Sequence, residues 1–169
     1  HFRLVTLGRL TLLGTAGEED ASLARRRAKL ALLAVLAMSR RPVARDVLLE
    51  MFWGDQDESR ARHSLSNALS SLRRTLGQRS ITTRDADVAL APDVALEIDA
   101  LDFADAVEAR DFARGIELYG GPFLSGVYVG ETPGFEQWVS RERRRLEALF
   151  VQACAQHCAS LARARRWPE

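Results

Sequence analysis

The chain has 169 residues, with 24 Lys and Arg against 23 Asp and Glu, and 47% of its residues are apolar. This composition is typical of a globular protein and excludes a disordered, collagen-like or membrane-spanning chain. The longest apolar run, residues 30–38, is far shorter than the roughly 20 residues that a transmembrane helix needs. Because only two cysteines are present, we expect a cytoplasmic protein. The chain starts at His1 instead of Met, so we also expect it to be a piece of a longer protein.

Charge is distributed unevenly along the chain. Residues 1–84 hold 15 Lys and Arg against 8 Asp and Glu, a formal charge of +7, whereas residues 85–169 hold 9 against 15, a formal charge of −6. A basic half of this size attracts a polyanion such as DNA, and an acidic half repels it. The alternative is a random partition of surface charge, which stays open until the basic residues are placed on one face.

Patterns for a small sheet and two helices open the chain. Residues 2–14 contain two β-rich runs divided by Gly8-Arg9, which predicts two strands joined by a turn. Residues 25–39 are rich in Ala and Leu and end before a proline, which predicts a largely buried helix. An amphipathic pattern over residues 43–53, with Gly54 as its stop, predicts a second helix.

A third helix and a hairpin follow. The helix is predicted from about Ser59 to Leu76, with Asp57 or Ser59 as its N-cap. Residues 81–83 and 88–90 are β-like and flank a polar turn, which predicts a short hairpin. The order sheet, three helices, hairpin is typical of a winged helix-turn-helix, in which one helix enters the major groove and the hairpin contacts the adjacent backbone.

From Asp99 onward, the chain is helical in pattern. Asp99 is a candidate N-cap for a helix over residues 101–109, and residues 112–119 predict another helix that ends at Gly120-Gly121-Pro122. From Phe135 onward, apolar residues recur every three or four positions over about 27 residues. This pattern predicts a long helix that needs partners along its apolar stripe. Helix pairs of this length build helical repeat modules.

The third predicted helix has a basic face without carboxylates. Its apolar residues fall on one side at about 100° per residue, and no Asp or Glu occurs between Arg60 and Arg84. The opposite side carries residue types that bind phosphates and base edges. They are Arg60, His63, Asn67, Ser70 and Arg74, flanked by Ser66, Ser71 and Arg73. The alternative is a solvated basic helix that packs against another protein.

Several motifs resemble a known family. RDVLLEMFWGD at residues 45–55 and the pattern ARxxLxxALSxLRRxL at residues 61–76 resemble the DNA-binding domain of SARP-type bacterial transcriptional activators, a variant of the OmpR-like winged helix. IELYGGPFLSG at residues 116–126 and FEQWVSRERRRLEALF at residues 135–150 are similar to the family's bacterial transcriptional activation domain. The resemblance covers nearly the whole chain.

This resemblance implies an architecture and a function. An OmpR-like winged-helix DNA-binding domain is expected over residues 1–97, and a helical, tetratricopeptide-like activation domain, truncated at its C-terminal end, over residues 98–169. The implied function is sequence-specific activation: the protein binds direct repeats of double-stranded DNA at promoters, often as paired protomers, and recruits RNA polymerase through its sigma subunit. The candidate DNA-binding residues on the third helix and the wing are Arg62, His63, Ser66, Asn67, Ser70, Arg73, Arg74 and Arg84.

Two arginine clusters have different settings. Residues 25–27 open a helix in the basic half, so we expect phosphate contact there and include Arg26 among the DNA-binding residues. Residues 143–145 lie between two glutamates, which indicates salt bridging or a partner surface. At the wing, Asp85 and Asp87 weaken the attraction for phosphate, so we expect the helix to contribute more than the wing.

Signals for other chemistry are weak. Cys154, His157 and Cys158 lie at helical spacing and could offer ligands to a metal, but no fourth ligand is evident, and core packing of Cys154 and His157 is the favoured interpretation. The sequence contains no phosphate-binding Gly-x-x-x-x-Gly-Lys-Ser/Thr motif. We therefore expect no catalytic residues, cofactor or metal.

Three functional hypotheses remain at this point. The first is the DNA-binding activator, and the second is a protein-interaction adaptor whose winged helix does not bind specific DNA. An enzyme is the third, and it would require a pocket with converging titratable groups, of which the sequence gives no sign. Binding that weakens steeply with salt distinguishes the activator from the adaptor, because neutralising several phosphates releases counterions.

Overall fold

A computed structural model describes residues 1–18, 27–130 and 132–164 of the chain. The protein is mainly helical with a small β component, as the sequence predicted. Its strands are β1 (Phe2–Val5), β2 (Thr11–Leu13), β3 (Val43–Ala44), β4 (Ile81–Arg84), β5 (Asp87–Leu90) and β6 (Leu96–Ile98). Its helices are α1 (Arg27–Ser39), α2 (Arg45–Trp53), α3 (Glu58–Leu76), α4 (Asp99–Glu108), α5 (Phe112–Leu118) and α6 (Pro133–Ala164).

The first sheet has the order β2-β1-β6. The predicted N-terminal strand pair is confirmed: β1 and β2 are antiparallel, with Leu4 opposite Leu12. Gly8 adopts a φ of 84° between them, and a Cβ there would lie 2.7 Å from the carbonyl oxygen of Gly120. The third strand, β6, was not predicted, because its partner β1 lies more than 90 residues earlier in the chain. It pairs in parallel with β1, so Leu4 also lies opposite Ile98.

The second sheet has the order β3-β5-β4 and contains the predicted hairpin. β4 and β5 are antiparallel, with Arg84 opposite Asp87, and Asp85 adopts a φ of 51° in the turn. The sequence placed the start of the second helix at Val43. The structure corrects this start: residues 43–44 form β3 against β5, and α2 begins at Arg45. β-Branched Val43 pairs well in a strand, and this tertiary pairing overrides the helical pattern.

The core of the first half lies between the three helices and the second sheet. Residues 30–37 of α1 are all buried, as expected for its Ala- and Leu-rich sequence. Leu48 of α2, Leu65 of α3 and Val88 of β5 are each fully buried in the same cluster. α3 therefore rests on α1 and α2 with one face and exposes the other.

The side chain of Asp99 joins the segment after β1 to the start of α4. One carboxylate oxygen accepts hydrogen bonds from the Thr6 amide at 2.8 Å, the Thr6 hydroxyl at 2.6 Å and the Ala100 amide at 2.8 Å. The other accepts from the Leu7 amide at 3.0 Å. The sequence predicted Asp99 as the N-cap of a helix over residues 101–109. Instead, α4 begins at Asp99 itself, and three of the four bonds reach back to the start of the chain.

The helices of the second half pack around aromatic side chains. α5 begins after its N-cap Asp111 and ends at Leu118, close to the predicted boundary. The rings of Tyr119 and Phe150 stack with centroids 4.1 Å apart, which brings the end of α5 onto α6. Burial raises the pKa of the Tyr119 phenol, with the carboxylate of Glu147 adding to the shift. α6 therefore has partners along this part of its stripe.

The predicted long helix is confirmed, but its stripe is covered only in part. Its buried residues end at Ala153. Cys154 and His157 are half-buried, not part of the core, and Cys158 and Leu161 are exposed. The sequence pattern thus continues beyond the point where the described part of the chain supplies partners.

The two predicted domains share one continuous hydrophobic core in the structure. Phe52 of α2 and Phe135 of α6 have ring centroids 5.1 Å apart. Arg40, at the end of α1, forms an ion pair with Asp105 of α4. The boundary at residue 97 stays a prediction, but the halves on either side of it are in close contact. Among the described residues, no helix is both long and apolar enough to cross a bilayer.

Arg143 fastens α6 to the loop after α5, and its removal is expected to destabilise the fold. Its guanidinium donates to the carbonyl of Phe123 at 3.0 and 3.1 Å and to that of Leu124 at 3.3 Å. Both loop residues are fully buried, and without Arg143 the Phe123 carbonyl loses two of these bonds, while the Leu124 carbonyl keeps its bond from the Val127 amide at 3.2 Å. We expect Arg143→Ala to lower the free energy of unfolding by about 2–3 kcal/mol, measured by urea denaturation.

Arg144→Ala is the matched control for this prediction. Arg144 lies next to Arg143 on the same helix, carries the same charge and is exposed. Its replacement is expected to change the free energy of unfolding by no more than about 0.5 kcal/mol. Equal losses for the two variants would contradict the role given to the Arg143 hydrogen bonds.

Candidate nucleic-acid interface

α3 is the element that carries the candidate site. Its N-cap is Asp57, one of the two predicted caps, whose carboxylate accepts a hydrogen bond from the Arg60 amide at 3.0 Å. The helix ends at Gly77, which adopts a φ of 106° and donates its amide to the carbonyl of Arg73. A left-handed φ is readily adopted by glycine, and this explains the sharp stop.

Burial along α3 follows the predicted periodicity. The predicted apolar stripe is the buried side of the helix, and only its last member, Leu76, is half-buried. The fully buried residues are Ala61, Leu65, Ala68, Leu69 and Leu72. The opposite side is open to solvent over its whole length. The exposed residues there are Arg60, Arg62, His63, Ser66, Asn67, Ser70 and Arg74.

Arg62 has a partner on its own helix. Its guanidinium forms an ion pair with the carboxylate of Glu58, four residues earlier, with nitrogen–oxygen distances of 2.6 and 3.0 Å. Sequence spacing alone could have found this pair, because an acid four residues before a base is a common helical contact. The pair lowers the positive potential at the N-terminal end of α3, where Asp55 and Asp57 are also exposed.

Arg73 is directed toward the hairpin. Its Nε donates to the carbonyl of Ile81 at 3.0 Å, and its Nη2 donates to the hydroxyl of Thr83 at 2.8 Å. The residue is half-buried, whereas its neighbour Arg74 is exposed. The structure thus brings Arg73 together with β4, away from the exposed face that the other candidate residues on α3 share.

The hairpin tip combines basic and acidic residues. Arg84 is exposed at the end of β4, and Asp85 and Asp87 are exposed beside it. Arg79, in the connection between α3 and β4, is exposed as well. The candidate set omitted Arg79, although the stretch without carboxylates from Arg60 to Arg84 already contained it. The basic surface therefore extends from α3 into this connection.

The structure describes only one residue of the first arginine cluster and all three of the second. Arg26 lies outside the described residues. Arg27 donates to the carbonyl of Gly126 at 3.3 Å, so this member of the first cluster contacts the second half. In the second cluster, Arg145 forms an ion pair with Glu142 at 2.8 Å, which agrees with the predicted salt bridging. Arg143 instead binds backbone carbonyls, a role that charge spacing could not reveal.

Within the described ranges, no three His, Cys, Asp or Glu side chains are grouped in a way that could hold a metal ion.

Comparison with known proteins does not identify the function of the exposed α3 face. No protein-family model and no curated protein matches the sequence. The interpretation of the α3 face therefore depends on its own side chains: cations that suit phosphates, and amide and hydroxyl groups that suit base edges.

Removal of the α3 cap is expected to weaken the fold modestly. Asp57→Ala deletes the acceptor of the Arg60 amide, and loss of such a cap costs about 1 kcal/mol in the free energy of unfolding. Asp55→Ala removes the same charge from the preceding loop without touching the cap, so it should be nearly neutral. Chemical denaturation of both variants measures the difference, and a cap effect no larger than the loop effect would refute the assignment.

Proposed function

We propose that the protein is a sequence-specific DNA-binding transcriptional activator, with a winged helix-turn-helix formed by α1–α3 and the β4–β5 hairpin. In this proposal α3 enters the major groove and the hairpin acts as the wing beside it. The helices α4–α6 form a tetratricopeptide-like module that recruits RNA polymerase through its sigma subunit. Two protomers occupy neighbouring direct repeats of the promoter.

The exposed face of α3 is the observation that carries this proposal. Over the 19 residues of the helix, Glu58 is the only carboxylate, and it lies in the first turn. An ordinary solvated helix mixes both signs of charge along its surface. Here the exposed side offers Arg74 for phosphate or guanine, Asn67 for an adenine edge, and Ser66 and Ser70 for either phosphates or bases.

The start of α3 supports an alternative function. Asp55, Asp57 and Glu58 are exposed there, and Glu58 neutralises Arg62. Recognition helices of the helix-turn-helix class present their N-terminal residues to the bases, and carboxylates at that position repel phosphate. The alternative is a protein-interaction adaptor in which this face binds another protein.

Selection of bound sequences from a random duplex library, followed by a salt titration on the enriched duplex, tests the proposal. We expect a short motif repeated in direct orientation, and an association constant that falls steeply with salt concentration because several phosphates are neutralised. The spacing of the repeats gives the arrangement of the protomers. No enrichment, together with weak binding that is lost at physiological salt, would contradict the activator and favour the adaptor.

A further inference from the structure

Arg73 forms hydrogen bonds at both ends of the segment that connects α3 to the hairpin. Its backbone carbonyl accepts the amide of Gly77 at 2.9 Å, which ends the helix. Its side chain donates to the carbonyl of Ile81 and the hydroxyl of Thr83, which lie on β4. One residue therefore stops α3 and holds the strand that follows it.

The hairpin has few other attachments to α3. In β4 only Ile81 is buried, and Thr82, Thr83 and Arg84 are exposed. β4 is also an edge strand, because the order of its sheet is β3-β5-β4. The core therefore anchors the inner end of β4, while the bond from Arg73 to Thr83 reaches toward the hairpin tip.

The guanidinium group suits this attachment. Its donors lie in one plane in a rigid fork, so two bonds to one strand fix both the position and the orientation of that strand. A lysine has a single nitrogen and cannot reproduce this geometry. Contact with a phosphate would require Arg73 to give up these bonds, whereas the structure gives Arg74 no such partner among the described residues.

We propose that Arg73 is a positioning residue that fastens the β4–β5 hairpin to α3 and does not itself contact DNA. This inference rests on the proposed function only for its consequence, which is that the attachment sets the separation between the α3 face and the wing tip. The attachment itself is a property of the free protein. It differs from the sequence-based prediction that Arg73 is one of the DNA-binding residues.

Hydrogen exchange of the free protein tests the attachment. We expect the amides of β4 to exchange about tenfold faster in Arg73→Met, because this edge strand loses its side-chain bonds to α3, whereas β5 stays paired with β3. Arg73→Lys should not restore the protection. Thr83→Val removes one acceptor without changing the charge and should shift the same amides in the same direction. Thr82→Val is the matched control, because the Thr82 hydroxyl reaches only Ala89 of the same hairpin, at 3.4 Å.

Salt titration on a duplex of random sequence tests the statement that Arg73 does not itself contact DNA. Arg74→Ala should lower the slope of log association constant against log salt by about one, as loss of a phosphate contact does. Arg73→Met should weaken binding with the slope unchanged. A slope lowered by about one in Arg73→Met, with wild-type binding by Thr83→Val, would show direct phosphate contact and overturn the inference.

The two proposals fail separately. If no duplex is bound under any condition, the proposed function is wrong, and the exchange data still decide whether Arg73 holds the hairpin. If the β4 amides exchange at the wild-type rate in Arg73→Met, the attachment is wrong whatever the protein does with DNA. Circular dichroism of each variant checks that the helices are retained.

Discussion

Asp99→Ala is expected to lower the free energy of unfolding by about 3–5 kcal/mol, a large part of the stability of a small protein. The carboxylate is 5% exposed and accepts four hydrogen bonds. Alanine leaves the amides of Thr6 and Leu7 and the hydroxyl of Thr6 without an acceptor in a buried position. A buried donor left unpaired costs about 1–3 kcal/mol, and the losses in one network are not simply additive.

Asp99→Asn keeps the volume of the side chain and changes its hydrogen bonds, so it separates these two effects. The amide oxygen can replace the carboxylate oxygen that accepts three bonds, but the amide nitrogen then faces the donor of Leu7. We therefore expect a smaller loss than for alanine, in the same direction. Urea denaturation monitored by circular dichroism gives the free energies for both variants.

Asp105→Ala provides the control on the same helix. Asp105 is exposed and forms an ion pair with Arg40, and such surface pairs contribute about 0–1 kcal/mol. If Asp99→Ala costs no more than Asp105→Ala, the link between the segment after β1 and α4 does not stabilise the fold as its geometry indicates. A large difference supports Asp99 as the residue that joins the two halves.

Periodic patterns predicted most of the helical architecture. In α3 the apolar residues recur often enough to define one buried side, and the exposed side follows from it without any tertiary information. The hairpin was found because two β-like runs flank a polar turn at residues 84–87. Local information was sufficient in these places because the structure is itself local.

Contacts between distant residues could not be predicted in this way. Asp99 precedes a helical run, so the sequence pointed to a cap, yet its main partners lie 92 and 93 residues away. The strands β6 and β3 pair with β1 and β5, which are distant in the sequence, so their local patterns did not reveal them. Arg73 belongs to a basic run in the sequence. Only the position of β4 shows that its guanidinium donates hydrogen bonds to that strand.

Weaker DNA binding by two variants of the α3 face is the second major expected result. Asn67→Ala should weaken binding to the selected duplex by about 1–3 kcal/mol and relax base preference at one position, because an amide pairs with an adenine edge through two bonds. Arg74→Ala should weaken binding to all duplexes and reduce the salt slope by about one, because a guanidinium on phosphate contributes charge without sequence. Titration of each variant with matched and single-mismatch duplexes measures both effects.

Controls on α6 separate this surface from general charge. Arg144→Ala removes the same charge as Arg74→Ala, and Gln152→Ala removes an exposed amide comparable to that of Asn67. Neither should alter base preference, since both residues lie in the acidic half, away from α3. If Asn67→Ala and Arg74→Ala bind the selected duplex as tightly as the wild type, α3 is not the reading helix. A protein-binding role for its basic face would then account for the absence of carboxylates.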